Sequence, residues 1–472
     1  KAVSFKTIMI VASIGVAVGA LYSNGMMEIA RNGIFTPSMF SFNDVIIIFL
    51  AVMITDVLLL DVFNTLGLPT STTVSVIFSL LGASVALAVY KVYVSGDSFS
   101  TLGNYINTEK ASEIVYSILL SVALSFALGS LVQYVSRLIF TFHIEKRYKY
   151  VAALFGGVAM TAITFFILVK GLKSITFVPS EVKDFIKESP LTIIAYSLIL
   201  WTIVCQLLIS VFKYSVFKFI IIVGTFGLAL AFAGNDLVNF IGVPIAAYQA
   251  FEIWAAPGQT VGATEFMMSG LEKENLPAPF IFLALAGLVM VYTLWTSKKA
   301  KSVIETEQNL SRQGEGNEKY NANTLSRNLV RAMMYLGNII SFILPKSLQR
   351  KLDAQFVQPE YTGKRDEQPM FDMVRASVNL IVASILISIG TSMKLPLSTT
   401  YVTFMVAMGS SFADRAWDRE SAVYRVAGVF NVIGGWFVTA LAAFLSSAII
   451  AYVLFIGEVF AFFAFMIIVA IF

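Results

Sequence analysis

Two short runs of hydroxyl side chains stand at the start of apolar segments, far apart in the chain. They are Ser71–Thr73 and Ser398–Thr400, and each follows a Leu-Pro pair and one further residue. A shift of 327 positions (398 − 71) superimposes the runs and also carries Gly82 onto Gly409. Such residues can simply cap a helix start. Because the pattern occurs twice, we favour a second interpretation, in which two helix starts inside a membrane bind a tetrahedral oxyanion.

A second polar group lies in the apolar stretch "AGNDLVNFIGVPIAA", residues 233–247. It contains Asn235, Asp236 and Asn239, and an ionisable residue in such surroundings is a candidate functional residue. Carboxylate and amide oxygens are the hard ligands that a small cation such as Na⁺ prefers. The alternative is a buried aspartate that is hydrogen-bonded to neighbouring amides for structural reasons.

The composition identifies the kind of protein that must position these groups. Of the 472 residues, 57% are apolar and 13% are charged, whereas a soluble domain carries about one quarter charged residues. The net charge of +4 does not indicate a nucleic-acid partner. One cysteine, Cys205, and one histidine, His143, exclude an internal disulfide framework and make a His-rich metal site implausible. No nucleophile–base pair is visible, so we predict an all-α polytopic membrane protein that is not an enzyme and has no cofactor.

Apolar stretches of about 20 residues are long enough to cross the hydrocarbon core of a bilayer. We predict spans near 5–23, 44–65, 113–138, 150–170, 191–212, 219–240, 278–296, 372–392, 422–447 and 450–472. The hydroxyl runs add helices at about 70–94 and 397–414, which gives about 10–12 membrane helices. Residues 240–277 are rich in Gly and Pro, which favours a broken or re-entrant element.

The positions of Lys and Arg predict the orientation of these segments. Basic residues are frequent near 137–149, 213–218, 298–375 and 415–419 and almost absent from 24–43 and 97–112. By the positive-inside rule, the basic loops are cytoplasmic and the other two face outside. The two hydroxyl helices then cross in opposite senses. That is the pattern of an inverted-repeat transporter with its substrate site near the midplane.

The repeats divide the chain into five predicted parts. They are a first repeat at 1–138, connecting transmembrane helices at 139–218, the first part of a second repeat at 219–296, a cytoplasmic polar loop at 297–371, and the remainder with C-terminal helices at 372–472. Within the loop, residues 329–352 alternate apolar and basic positions at helical spacing. This predicts an amphipathic helix on the inner membrane surface, with partner docking as the alternative.

The Gly-x-Asn-Asp-x-x-Asn motif and the paired Leu-Pro-x-Ser-Thr-Thr segments resemble the inorganic phosphate transporter (PiT) family. That family comprises inverted-repeat symporters that move phosphate with Na⁺ or, in some branches, H⁺. The resemblance implies two groups of site residues. Phosphate would be bound by Ser71, Thr72, Thr73, Ser398, Thr399, Thr400, Asn235 and Asp236, and Na⁺ by Asn235, Asp236 and Asn239.

Three features depart from the family pattern. The family carries its Asn-Asp motif twice, but one copy is present here, and we expect the other just upstream of Lys1. The residue after Ser-Thr-Thr, often histidine in the family, is Val74 in one run and Tyr401 in the other. Asp56 lies among Val and Leu in the segment before the first run and is a candidate for lining the pathway. Asp61, five positions further, lies near the cytoplasmic end and is expected to be solvated.

These observations predict a symporter of inorganic phosphate and Na⁺ or H⁺ in the lipid bilayer. We expect a multi-pass protein of the cell membrane, the inner membrane in a bacterium, and leave a homodimer open. A sulfate permease of the same fold is one alternative, because sulfate has the same shape as phosphate. A membrane subunit or sensor that does not transport is the alternative from another class.

Overall fold

The structure is a computed structural model of the chain. It describes residues 3–23, 27–142, 149–169, 181, 184–185, 188–273, 276–297, 310–313, 321, 323–343, 345–357, 371–416 and 421–471. Within these residues the regular structure is helical, and two isolated antiparallel bridges join Phe35 to Ile106 and Ser41 to Met267. The fold class predicted from the sequence, an all-α polytopic membrane protein, is confirmed.

The helices of the described residues are named α1 to α16 in chain order. The first group is α1 (Phe5–Tyr22), α2 (Glu28–Asn32), α3 (Phe42–Thr65), α4 (Thr72–Ser95), α5 (Leu102–Tyr105), α6 (Thr108–Ile139), α7 (Lys149–Ile163) and α8 (Pro190–Ser210). The second group is α9 (Val216–Leu237), α10 (Val243–Ala255), α11 (Phe280–Thr296), α12 (Thr324–Ile343), α13 (Lys346–Gln355), α14 (Met373–Ser392), α15 (Thr399–Ala413) and α16 (Ser421–Ile471). Single wide π-helical turns follow α7 and α9, and short 3₁₀ turns lie at 37–39, 99–101 and 269–272.

Seven helices in the described part of the chain are long and apolar enough to cross a membrane. Three shorter apolar helices, at residues 5–21, 150–166 and 280–296, correspond to further predicted spans. Many large apolar side chains of the long helices face outwards, including Leu119 and Leu131 of α6 and Leu441 of α16. In a protein surrounded by lipid such exposure is favourable, because the hydrocarbon tails are as apolar as the side chains.

The loops collect at two opposite ends of the helix bundle. At the first, here called the Lys91 end, Lys91 forms an ion pair of 2.5 Å with Asp44, and the two isolated bridges join residues 35–41 to 106 and 267. At the other, the Asp414 end, Arg137 forms ion pairs with Asp372 and Asp414 at 2.8 and 2.7 Å. Helix α6 joins the two ends, since its 32 residues rise by about 48 Å.

Each of the two helices that contain the hydroxyl runs packs against a long helix from the other half of the chain. Helix α4 lies against α16, while α15 lies against α6. At both contacts a glycine meets a backbone carbonyl: a Cβ built on Gly82 would lie 2.1 Å from Phe444 O, and one built on Gly409 would lie 2.2 Å from Phe126 O. No side chain fits at these distances. The two glycines therefore allow the helix axes to approach closely.

The structure corrects three details of the sequence analysis. Residues 240–277 contain a regular helix, α10, and the irregular backbone starts after Ala255. The segment 329–352 is divided between α12 and α13 at Pro345, which cannot continue a helix because it lacks a backbone N–H. The last two predicted spans are both helical, but the break within α16 lies at Glu458, whose φ of 43° is not helical, and not at 448–449.

Candidate functional site

The two hydroxyl helices begin in the same way. Pro69 and Pro396 disfavour helical backbone at the residue before them, and in each case the serine two positions further on, which is itself extended, acts as the N-cap. The Ser71 hydroxyl accepts a hydrogen bond from Val74 N, and the Ser398 hydroxyl accepts one from Tyr401 N, both at 3.2 Å. Both serines therefore act as helix caps, but capping does not exclude a second role in binding. A hydroxyl that accepts one bond can still donate its hydrogen to a ligand oxygen.

The chain turns sharply before each of these helices in the same backbone conformation. Gly67 has φ = 65°, and Lys394, its equivalent under the shift of 327, has φ = 56°. Glycine adopts this left-handed region freely, whereas for lysine it costs roughly 1–2 kcal/mol. The two loops thus share one conformation even though their sequences differ there.

The Asn-Asp motif lies at the end of α9, where the helix widens. Asn235 and Asp236 belong to the last turn of α9, and Asn239 lies in the π-helical turn of residues 238–242. Wide turns of this kind often mark functional sites, because the loosened backbone points side chains in directions that a regular helix does not allow. All three side chains are buried, with Asp236 2% exposed.

The Asp236 carboxylate lies where the starts of the two hydroxyl helices meet. Three donors act on its Oδ1 oxygen: Asn235 Nδ2 and Asn239 Nδ2 at 3.1 Å each, and Thr73 Oγ1 at 3.4 Å. The Thr399 hydroxyl donates to Oδ2. One carboxylate is therefore in contact with the first half of the chain through Thr73 and with the second half through Thr399.

Asparagine side chains join the rest of the site. Asn239 Nδ2 lies 2.9 Å from Thr73 Oγ1 and 3.2 Å from Thr72 Oγ1. Asn235 Nδ2 donates to the backbone carbonyl of Leu397 at 2.7 Å, and the Thr73 hydroxyl lies 3.3 Å from the same carbonyl. The amides thus bind the first turn of α4 and the loop that precedes α15.

The predicted site residues are brought together to different degrees. Seven are buried around one point: Ser71, Thr73, Ser398, Thr399, Asn235, Asp236 and Asn239. Thr72 is half-buried and contacts Asn239. Thr400 is also half-buried, and its backbone carbonyl accepts a bond from Thr403 in the next turn of its own helix.

Two groups in the site were not predicted from the sequence. They are the Leu397 carbonyl and Thr391, whose hydroxyl lies 3.3 Å from Asn235 Oδ1. A backbone carbonyl carries no signal in a sequence. Thr391 did have a sequence signal. The shift of 327 pairs it with Asn64, so that both halves hold a polar residue at this position.

Helices α4 and α15 leave the site towards opposite ends of the bundle. The last turns of α4 contain Lys91, at the Lys91 end, and α15 ends beside Asp414, at the Asp414 end. From the site the helices rise by about 36 Å and 22 Å respectively. The site therefore lies well inside the bundle, with the positive ends of two helix dipoles directed at it.

This fold, with a polar site enclosed between two oppositely directed helices, is that of a multi-pass α-helical membrane transporter. A sequence profile described as the phosphate transporter family matches residues 1–306, and the chain belongs to that family. The family and the fold are those of transporters, which are not enzymes. Among curated proteins none matches the chain.

A solved structure described as "The sodium-dependent phosphate transporter" has a similar fold. The match has a TM-score of 0.65 and covers 97% of this chain and 91% of that chain. The sequences are 16% identical, so the likeness concerns the fold and not individual residues. The family resemblance inferred from the two motifs is confirmed.

Proposed function

We propose that the protein is a secondary active symporter that moves inorganic phosphate across the membrane together with Na⁺. The observation that carries this proposal is the meeting of two helix N-termini, each with its own hydroxyls, at the single carboxylate of Asp236. Helix N-termini and hydroxyls are donors, and a tetrahedral oxyanion offers acceptors in every direction. The name of the similar structure, a sodium-dependent phosphate transporter, agrees with it.

Asp236 gives the physical reason for coupling. A carboxylate and a phosphate ion repel each other strongly in a site shielded from water, and a buried uncompensated charge costs several kcal/mol or more. A cation bound by Asp236 would remove this repulsion and leave the Thr73 and Thr399 hydroxyls to donate to phosphate. Phosphate would then bind well after the cation and poorly without it.

The proposed Na⁺ ligands are the oxygens of Asn235, Asp236 and Asn239. These are hard oxygen ligands, and each side chain is buried within the last turn of α9 or the π-helical turn that follows. Uptake driven by H⁺ with no sodium requirement would place the protein in a proton-coupled branch instead. The coupling ion is therefore the first property to measure.

We further propose that the two halves are inverted repeats that rock against each other around the site. Three observations support this: the opposite directions of α4 and α15, the matching backbone at Gly67 and Lys394, and the equivalent close contacts at Gly82 and Gly409. In this proposal the Lys91 end faces outside and the Asp414 end faces the cytoplasm. The cell membrane, the bacterial inner membrane in particular, and a homodimer remain predictions.

The decisive experiment is uptake of radiolabelled phosphate by proteoliposomes, with pH clamped on both sides. We expect uptake to rise when a sodium gradient is imposed and to return to the background of empty liposomes when sodium is replaced by choline. A tenfold excess of sulfate should compete weakly, because protonated phosphate can donate a hydrogen bond to a carboxylate and sulfate cannot.

Two variants accompany the measurement. Asp236→Asn should lose the sodium response, whereas Thr293→Ala should keep it, because the Thr293 hydroxyl bonds to Val289 O of its own helix at 2.8 Å, away from the site. Strong competition by sulfate would identify a sulfate permease. Phosphate binding to folded protein without uptake would contradict the proposal in favour of a sensor.

A further inference from the structure

A second buried carboxylate lies outside the site around Asp236. Asp56 belongs to α3 and is 5% exposed. Its Oδ1 oxygen accepts hydrogen bonds from Ser75 and from Ser79, at 3.4 Å for Ser79, and both serines are fully buried on α4. Its Oδ2 oxygen is buried and has no hydrogen-bond partner among the described residues.

This arrangement fits a neutral carboxylic acid better than an ion. An ionised carboxylate shares its charge between two oxygens, and leaving one of them buried without a donor costs several kcal/mol. In a neutral acid the carbonyl oxygen accepts hydrogen bonds and the other oxygen carries the proton. Both serines donate to Oδ1, which corresponds to the carbonyl oxygen, and Oδ2 then holds the proton.

The charged groups on α3 and on the helices that pack against it are not among the hydrogen-bond partners that the structure gives Asp56. Helix α3 packs against α4, α10 and α16. On α3 itself the nearest is Asp61, five residues or about 7.5 Å along the axis. The others are Asp44 and Lys91, paired at the Lys91 end, and Glu252, Arg425 and Glu458. The tyrosines of α4, α10 and α16 also lie outside the hydrogen-bond set of Asp56, which among the described residues consists of Ser75 and Ser79.

A row of hydroxyls along α4 lies between Asp56 and the proposed phosphate site. Thr72, Ser75 and Ser79 follow one another at spacings of three and four, which places them along one side of the helix. Thr72 contacts Asn239 of the site at 3.2 Å, and the serines contact Asp56. Asp56 is therefore bound on the same side of α4 that carries Thr72, in the helix turn that we propose holds phosphate.

The second half of the chain has no equivalent of this group. The shift of 327 pairs Asp56 with Ala383, Ser75 with Val402 and Ser79 with Val406. An acid that served to hold two helices together would be expected in both halves, since α14 and α15 pack against each other as α3 and α4 do. The apolar residues show that this packing does not need a carboxyl group.

We propose that Asp56, with Ser75 and Ser79, is a proton-binding site that is loaded in this conformation and exchanges its proton during phosphate transport. When the surroundings of α3 and α4 open to water, the O–H bond at Oδ2 breaks and the proton passes to water, leaving a hydrated carboxylate. The carboxylate takes up one proton again before the helices close. This inference rests on the proposed transport function and adds a proton to the Na⁺ at Asp236.

The first test measures the proton itself and does not depend on transport. Infrared spectra of the purified protein in lipid should contain the C=O stretching band of a protonated carboxylic acid. We expect Asp56→Asn to lose this band and Asp61→Asn, the same change on the same helix, to keep it. A spectrum in which Asp56→Asn removes nothing would show that Asp56 is ionised and would overturn the proposal.

Two further variants cover the case in which Asp56→Asn does not fold. Ser75→Ala and Ser79→Ala keep the acid but remove a donor to Oδ1, so the C=O band should move to higher frequency. An unshifted band in both would overturn the assignment.

The second test concerns exchange of the proton. With the sodium gradient held constant, an imposed pH gradient should change net phosphate uptake in the unaltered protein and in Asp61→Asn. Asp56→Asn should lose this response while it retains sodium-dependent phosphate exchange. An unchanged response would show that the proton on Asp56 is not exchanged. Normal spectra without any phosphate uptake would contradict the transport function and leave the buried proton in place.

Discussion

The first and second hydroxyl helices have the same start and different surroundings. Both begin with a capping serine after Leu-Pro, and both pack through a glycine on a partner helix. At Asp236, however, the Thr399 hydroxyl donates to Oδ2, whereas Thr73 at 3.4 Å shares Oδ1 with two asparagines. Two helix starts with the same backbone conformation thus have unequal chemistry.

The difference extends beyond the site. Behind the first helix lies the acid group of Asp56, and behind the second lie valines and an alanine at the equivalent positions. Two identical half-sites would bind an ion symmetrically. In our proposal the halves are unequal, because the first half alone adds a proton site, at Asp56, to the shared site around Asp236. The following experiments test how unequal they are.

The largest effect is expected where the two halves share one group. Asp236→Asn keeps the size and one oxygen ligand but removes the charge, so sodium-coupled phosphate uptake should be lost while the protein remains folded. Asn239→Ala should weaken the sodium requirement less, because Asn239 contributes no charge. Uptake assays at varied sodium concentration, with circular dichroism as the folding control, measure both. An unchanged sodium requirement in Asp236→Asn would remove Asp236 from the cation site.

The threonines test the inequality directly. Thr399→Ala should reduce uptake more than Thr73→Ala, because Thr399 is the donor to Oδ2, whereas Asn235 and Asn239 remain on Oδ1. A lost hydrogen bond to a charged group corresponds to roughly 1.5–3 kcal/mol, or about ten- to a hundredfold in affinity. Thr→Ser at either position keeps the hydroxyl and should be milder. Equal losses at both positions would mean that the halves contribute equally.

The capping serines distinguish a structural role from a binding role. If Ser71 and Ser398 hold phosphate, replacing either with Ala should lower phosphate affinity by about ten- to a hundredfold. The double variant should be non-additive, because both serines would contact one ion. If they act as caps alone, each replacement should lower stability by about 0.5–2 kcal/mol and leave affinity unchanged. Phosphate titration and thermal unfolding of the same samples separate the two outcomes.

The glycines test whether the packing of the two halves is equivalent. Gly82→Ala and Gly409→Ala should destabilise the protein to a similar degree, by about 1–3 kcal/mol, because each added Cβ would overlap a backbone carbonyl. Gly434→Ala in α16 is the matched control, since nothing lies within 4 Å of a Cβ there. Thermal unfolding in detergent measures all three. A large effect at one glycine alone would contradict the equivalence.

The smallest effect is expected at Lys394, the residue that replaces the turn glycine of the first half. Its ammonium group lies 2.8 Å from the Glu28 carboxylate. Burial alone would raise the pKa of Glu28, but the hydrogen bond from Lys394 and the charges of Lys394, Lys110 and Arg31 hold it below its usual value.

Because the pKa of Glu28 is lower in the folded state, the pair contributes stability above the unfolded pKa and loses it as pH falls through the folded pKa. Lys394→Met should therefore cost about 0.2–1 kcal/mol at neutral pH and nothing at strongly acidic pH. Unfolding measured across this pH range checks the sign. A cost that persists at acidic pH would assign the effect to the loop and not to the ion pair.

The sequence by itself determined the class of fold and the candidate site residues. Long apolar segments must be helices in a membrane, because backbone groups there find no water to bond, and 472 residues with 13% charge leave few alternatives. The repeated Leu-Pro-x-Ser-Thr-Thr pattern and Asp236 were conspicuous because hydroxyl and ionisable groups are costly in such segments. Helix breaks were harder to place: Pro345 divides the amphipathic segment, and the kink at Glu458 follows Gly457, a weaker signal than proline because glycine also occurs within regular helices.

Tertiary structure decided which groups meet and how. That Asp236 contacts Thr73 and Thr399, residues separated by more than 160 positions from it, follows from packing and not from any local pattern. The Leu397 carbonyl could not be singled out from the sequence, because every residue has a carbonyl and only the fold places this one where it accepts a hydrogen bond from Asn235. Asp56 is the clearest case. The sequence showed an acid among apolar residues. The proposed proton rests on Asp56 Oδ2, which is buried and receives no hydrogen bond from the described residues, whereas both serines donate to Oδ1. Burial of one particular oxygen is a property of the folded chain.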